Sequence, residues 1–276
     1  MAKYKNVPLQ VACMQLCSSD DVLQNLQHIE QLLADHAQPI DVLLLPENAT
    51  LITHDIQRKQ HHAQPSECNK IQQHFSSLAK TNKCWLIAGS MLIQDGNNPD
   101  KFLNHSPVFS PEGKLVAAYN KMHLFDVDLG SESWQESAQI SAGKTPETVT
   151  LNEHWKVGLS ICYDLRFPEL YRKYSAQNCN ILSIPAAFTV PTGKAHWDIL
   201  LKARAIENQA YVLAAGQVGS HADGRKTFGH SKIINPWGET LAELKEGEGI
   251  ITAKLDLDEL NDLKKRMPVL QHRRLS

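Results

Sequence analysis

Short continuous apolar runs alternate with amphipathic stretches along almost the whole of this 276-residue chain. No other feature restricts the fold as much. "VPLQVACMQL" reads as a strand. "SDDVLQNLQHIEQLLADHA" sets Leu23, Leu26, Ile29, Leu32 and Leu33 at helical spacing, with Ser19 or Asp20 in position to cap. "IDVLLLPE" is apolar throughout, as expected of a strand covered on both faces. A second amphipathic helix, "SECNKIQQHFSSLAKTNK", leads to a third strand, "CWLIAGSMLI", and "NHSPVFSPEGKLVAAYNK" reads as a hairpin turning at "SPEG". The polar "KMHLFDVDLGSESWQESAQISAGKTPE" is too long for one element and reads as a structured loop, the kind of connection that often carries function. The second half repeats the theme: strands at "HWKVGLSICYD", "CNILSIPAAF" and "AYVLAAGQVG", helices at "FPELYRKYSAQN" and "KAHWDILLKARAIENQ", a hairpin turned by "NPWG", and a closing strand "GIITAKLDLDEL". With no Gly/Ser linker and no break in composition, residues 1–276 are expected to form one α/β domain with helices on both faces of sheet.

Charge and composition exclude several partners. A formal net charge of −2 gives no electrostatic reason to expect nucleic acid or an anionic membrane, and the basic pieces "KKRMP" and "QHRRLS" are short enough to be solvated ends. No apolar run approaches the roughly 18 residues of a membrane span. "MAKYKNVPLQVACMQL" reads better as a first strand than as a signal peptide, so a cytoplasmic protein is expected. Six cysteines form no CxxC pair and would stay thiols in a reducing compartment. Among thirteen histidines the thickest patch is "THDIQRKQHHAQPSE". It lacks the spacing of a zinc site and reads as a surface loop, so no metal is expected.

Three reactive residues share one local context. Glu47 follows "VLLLP", Lys121 follows "LVAAYN" and Cys162 follows "VGLSI", each at the carboxyl end of an apolar run, the edge where reacting groups gather in open α/β sheets. Singly they could be a loop glutamate, a surface lysine and a core thiol. Together they supply what covalent hydrolysis of an amide needs. Glu47 can take the thiol proton, Cys162 can attack, and Lys121 can stabilise the thiolate and the oxyanion, with the Tyr163 peptide N–H as a second oxyanion donor. Arg166 could clamp a substrate carboxylate, or pair with Asp164 or Glu169 to shape the turn. His123 could face the pocket or hydrogen-bond behind it. No His–Asp pair stands at a recognisable spacing from the cysteine, which argues against a papain-like protease.

"LLLPEN", "YNKMHLFD" and "SICYDLRFPEL" resemble, in order and spacing, the glutamate, lysine and cysteine motifs of the nitrilase superfamily of carbon–nitrogen hydrolases. "AHWDILLKARAIENQAYVLAAGQ" and "GHSKIINPWGE" resemble later segments of that family, so the likeness spans nearly the whole chain. The resemblance implies a four-layer αββα sandwich, a homodimer, and no cofactor. It also implies a second glutamate between lysine and cysteine that orients the lysine. Glu136 in "WQESAQISAG" matches it, with Glu132 as the competing candidate.

Within the superfamily the chain looks most similar to the branch of omega-amidases and deaminated-glutathione amidases, on "FPELYRKY", "PTGKAHWDILLKARAIENQ", "FGHSKIINPWGE" and "MPVLQHRR". That likeness implies a small-molecule amide split through a thioester. The favoured substrate is deaminated glutathione, giving 2-oxoglutarate and cysteinylglycine in metabolite repair. The alternatives are 2-oxoglutaramate as substrate, or a non-catalytic binding protein of the same fold. "NATLITHDIQRKQHH", after the catalytic glutamate, departs from both amidase types, and it would border the pocket.

Overall fold

In the strand Leu9–Gln15, Val11 and Cys13 enter one core while Ala12 and Met14 enter another. Val42 and Leu44 face the first core, and Leu43 and Leu45 the second, so the period-two alternation separates two apolar layers rather than core from solvent. This is why these strands read as unbroken apolar runs. Each fully buried Val, Leu or Ile contributes about 1.5–3 kcal/mol of apolar transfer. The structure, a computed structural model, describes residues 8–65, 69–128, 130 and 133–275.

Among the described residues two large sheets form. The first runs in the order Gly249–Leu255, Leu9–Gln15, Val42–Leu44, Trp85–Ile87, Phe102–Phe109, Met91–Gln94, with Leu115–Asn120 also paired to Phe102–Phe109. The second runs Thr240–Leu244, Ser231–Ile234, Tyr211–Gly216, Ile181–Ala186, Lys156–Leu159, Thr148–Thr150. Each has three parallel strands at its centre and antiparallel strands outside them. Val11, Val42 and Ile87 of the first sheet share a core with Val157, Ile181 and Leu213 of the second. Helices Val22–Asp35 and Lys70–Asn82 cover the outer face of the first sheet. Pro168–Ala176 and Asp198–Asn208 pack on the second. The result is the four-layer αββα sandwich implied by the resemblance, with helices on the outer face of each sheet and the inner faces packed on one another.

Several local expectations are corrected. The cap of Val22–Asp35 is Asp21, whose Oδ1 accepts from the Gln24 amide at 3.1 Å, and Leu23 lies on the exposed side. "CWLIAGSMLI" is two strands, Trp85–Ile87 and Met91–Gln94, because the chain turns at Gly89. Gly89 has φ +62°, and a Cβ there would stand 2.0 Å from the Pro46 carbonyl oxygen. The histidine patch is not all loop: Ile56–His62 is helical, with the Asp55 carboxylate accepting from the Gln57 and Arg58 amides. The long polar connection contains a short antiparallel pair, Asp126–Asp128 with Ser133–Gln135, followed by a 3₁₀ turn, Glu136–Ala138.

Candidate active site

Glu47 and Cys162 leave parallel strands of different sheets, each three residues past the strand end. The site therefore lies where two sheets meet. Lys121 reaches it from the first sheet, directly after Leu115–Asn120. Its backbone is pinned from both sides, since Lys121 N–H donates to the Asn104 carbonyl at 2.9 Å and its carbonyl accepts from Gly143 at 2.7 Å. Gly143 is obligatory for that approach, as a Cβ would sit 2.0 Å from the Asn120 carbonyl oxygen.

The Lys121 ammonium donates to Glu47 Oε1 at 2.9 Å and to both oxygens of Glu136, at 3.0 and 2.8 Å. Glu47 and Lys121 are only 3% and 2% exposed, so neither charge could persist without an opposite charge beside it. Asn104 Nδ2 donates to Glu47 Oε1 at 2.9 Å and to Glu136 Oε1 at 3.3 Å, and the Ala187 amide donates to Glu47 Oε2 at 2.9 Å. Glu136 Oε2 also accepts from the Phe125 amide at 2.7 Å. Glu132, the competing candidate, lies outside the described residues.

Cys162 opens a 3₁₀ turn, Cys162–Arg166, with φ +50°, an unusual backbone for a residue with a side chain. Asp164 holds the turn. Its fully buried carboxylate accepts from the Ile161 amide (2.8 Å), Tyr119 Oη (2.7 Å), the His123 amide (3.0 Å) and His123 Nδ1 (2.7 Å). One carboxylate thus ties the cysteine turn to the segment carrying Lys121. Arg204 braces the same turn from helix Asp198–Asn208, donating to the Leu165 carbonyl through Nε and Nη2 at 3.1 and 2.7 Å.

These contacts set the protonation states. Burial pushes the Cys162 thiol up and the Glu47 carboxylate pushes it further, outweighing Lys121, so the thiol sits well above its ordinary value. Burial also pushes Glu47 up. There the Lys121 charge and hydrogen bonds from Cys162, Lys121 and Asn104 win, and the carboxyl is held below its ordinary range. Burial disfavours the Lys121 ammonium, but Glu136 and Glu47 hold its pKa well above normal. At rest the trio is thiol, carboxylate and ammonium.

The three groups form the floor of a cavity of about 290 Å³. Tyr163 and Arg166 also line it. Arg166 pairs with neither Asp164 nor Glu169: its Nη1 lies 3.1 Å from His196 Nδ1, and its guanidinium sits over the rings of Tyr163 and Phe188. His123 does not line the cavity. It stacks on Phe167 at 3.7 Å and forms with Asp164 a His–Asp pair that the 41-residue separation concealed, serving as a brace behind the cysteine. His54 and Lys59, from the divergent segment after Glu47, do line the cavity, with Trp134 and Arg225. The sequence points to none of Asn104, Ala187 or Arg204, and it offers Asp164 only as a partner for Arg166, whereas Asp164 bonds Ile161, Tyr119 and His123. Nor does the sequence point to Gln217, whose Nε2 donates to the Glu47 carbonyl at 3.0 Å and to Ser18 Oγ at 2.7 Å. Among the described residues, no group of three or more His, Cys, Asp or Glu is placed to hold a metal ion, and no helix is long and apolar enough to cross a membrane.

Residues 10–265 match the family model described as carbon–nitrogen hydrolase. The deaminated glutathione amidase of Yersinia enterocolitica is 37% identical over 272 residues, covering 96% of this chain and 92% of that one. The solved structure of Saccharomyces cerevisiae Nit3, a member of branch 10 of the nitrilase superfamily, superposes with a TM-score of 0.85 at 30% identity, covering 97% of each chain. That of C. elegans NitFhit gives 0.87 at 32% identity, covering 98% of this chain and 66% of that protein.

Proposed function

The chain belongs to the carbon–nitrogen hydrolase family and is a hydrolase of carbon–nitrogen bonds outside peptides; from that premise we propose that it is a cysteine amidase using Glu47, Lys121, Cys162 and Glu136. The observation that carries this reading is the convergence of a buried carboxylate, ammonium and thiol on one cavity floor.

Glu47 takes the thiol proton as Cys162 Sγ attacks the amide carbon. The raised thiol pKa means that no standing thiolate is stored, and transfer accompanies attack. The oxyanion develops against Lys121 and the Tyr163 amide, each such donor being worth about 10²–10³ in rate. Glu136 holds Lys121 in line. Glu47 then returns the proton to the departing nitrogen, leaving a thioester and a free amine. Water, deprotonated by Glu47, attacks the thioester carbon, the C–S bond breaks, and the acid leaves as the thiol is restored.

We assign deaminated glutathione as the substrate, cleaved to 2-oxoglutarate and cysteinylglycine in a metabolite-repair role. The support is the relative of that name across nearly the full length, and a cavity wall carrying the cation Arg166 for a carboxylate. The same reading includes a single domain working in the cytoplasm as a homodimer. Ile199 and Ile206 stand exposed seven residues apart on helix Asp198–Asn208, and Trp237 is exposed on the turn that touches Ile206, which gives a second copy a face to cover.

The test is kcat/KM for deaminated glutathione and 2-oxoglutaramate side by side. Preference for the first, abolished in Cys162→Ala, is the expected result. Preference for 2-oxoglutaramate moves the protein to the omega-amidases, and turnover of neither overturns the substrate assignment.

A further inference from the structure

Outside the catalytic floor, one pair of cations is poorly compensated. Lys59 lies on the short helix Ile56–His62, and Arg225 precedes the strand Lys226–Phe228. Far apart in sequence, both line the cavity wall. The Lys59 ammonium donates to an uncharged acceptor, Gln139 Oε1, at 2.7 Å. The Arg225 guanidinium gives Nη2 to Asp223 Oδ2 at 3.0 Å and lies over the Trp134 ring at 5.1 Å. Its Nε is buried with no hydrogen-bond partner among the described residues. A buried donor left unmade is costly, and a guanidinium edge with a free N–H is shaped to receive a carboxylate oxygen. Burial and the Arg225 charge together push the Lys59 pKa down, outweighing Asp223 and Glu136, so an anion placed there relieves a standing repulsion.

We propose that Lys59 and Arg225 form a second anion subsite, which takes the terminal carboxylate of the departing amine. The assignment rests on reading the cavity as the amidase site. In that site Arg166 stands on the cysteine turn, beside the acyl carbon, and serves the acyl half. Lys59 belongs to the segment running out from Glu47, the group that hands the departing nitrogen its proton. A substrate releasing ammonia has nothing to put against Lys59 and Arg225, whereas one releasing cysteinylglycine carries a carboxylate to them. The pair therefore separates the two substrates that share a 2-oxoglutaryl group.

The test measures equilibrium binding to Cys162→Ala protein of deaminated glutathione and of its C-terminal carboxamide. The acid is expected to bind about tenfold tighter, as a charge-assisted pair in a partly buried site gives. That preference should vanish when Lys59→Met or Arg225→Met is added, and survive Lys59→Arg. Unchanged affinity for the carboxamide shows that the variants are folded. A preference that persists in both Met variants, or is absent from the parent, overturns the subsite. The amidase reading falls separately: wild-type protein that shows the preference yet hydrolyses neither ligand keeps the subsite and loses the activity.

Discussion

The floor of the cavity and its wall are built on opposite plans. On the floor, Glu47, Lys121 and Asn104 are each 3% exposed or less, and the Glu47 carboxylate and Lys121 ammonium are each held by several hydrogen bonds. One ammonium stands among two carboxylates there, so the floor carries a net negative charge. On the wall Lys59, Arg166 and Arg225 are half-buried and hold few bonds each, with Arg225 paired to Asp223. In the proposed mechanism the reacting groups are held in place by many bonds, and only the protons they exchange move. Recognition is left to longer side chains near solvent, where electrostatics is weaker and salt-sensitive.

The largest effects should come from the floor. Cys162→Ala is expected to lower kcat/KM by about 10⁴-fold or more, with a melting curve close to wild type, as for loss of a nucleophile. A mutant hydrolysing at near-normal rate would remove the cysteine from the mechanism. Lys121→Met should cost both activity and fold, because it strands two carboxylates beside an apolar chain. Breaking such a buried pair typically costs about 3–5 kcal/mol, to be read by urea denaturation. If stability is untouched, the floor is less tightly coupled than its geometry implies.

A smaller effect is expected at Asn104. As the proposed base Glu47 must be ionised, and its folded pKa lies below the ordinary 4.5. The acid limb of kcat/KM should therefore stay flat as pH falls to that value and drop only beneath it. Asn104→Leu removes a donor that stabilises the carboxylate, so activity should fall about tenfold and the limb move upward. The same shift has a stability consequence. Glu47 contributes stability that is present above 4.5 and is lost as pH falls through its depressed folded value, a loss that Glu47→Gln should not show in denaturant midpoints measured against pH.

The smallest change belongs to the wall. Arg166→Met should raise KM about tenfold, leave kcat within about a factor of two, and flatten the dependence of KM on salt. A fall in kcat instead would place Arg166 with the floor, and the contrast between the regions would blur.

The sequence was most informative where a property is local. Strands buried on both faces announce themselves as apolar runs, and Glu47, Lys121 and Cys162 stand out because each ends one. The groups that hold them in place do not. Asn104 is a mid-strand residue in "FLNHSPVF", and Asp164 is one charge in a charged turn. Their importance comes from neighbours 57 and 41 positions away, Glu47 and His123. The split of the strands between two sheets was hidden for the same reason, since strand signals carry no partner.

The first sheet has a consequence for how the protein is made. Leu9–Gln15 pairs on one side with Val42–Leu44 and on the other with Gly249–Leu255, from Leu9 opposite Leu255 to Gln15 opposite Gly249. Until that late segment has left the ribosome, Leu9–Gln15 is an unprotected edge, able to pair with another chain. Contacts so distant in sequence also form slowly. The sheet that carries Glu47 and Lys121 is thus closed last, by a segment made after every residue of the cavity floor.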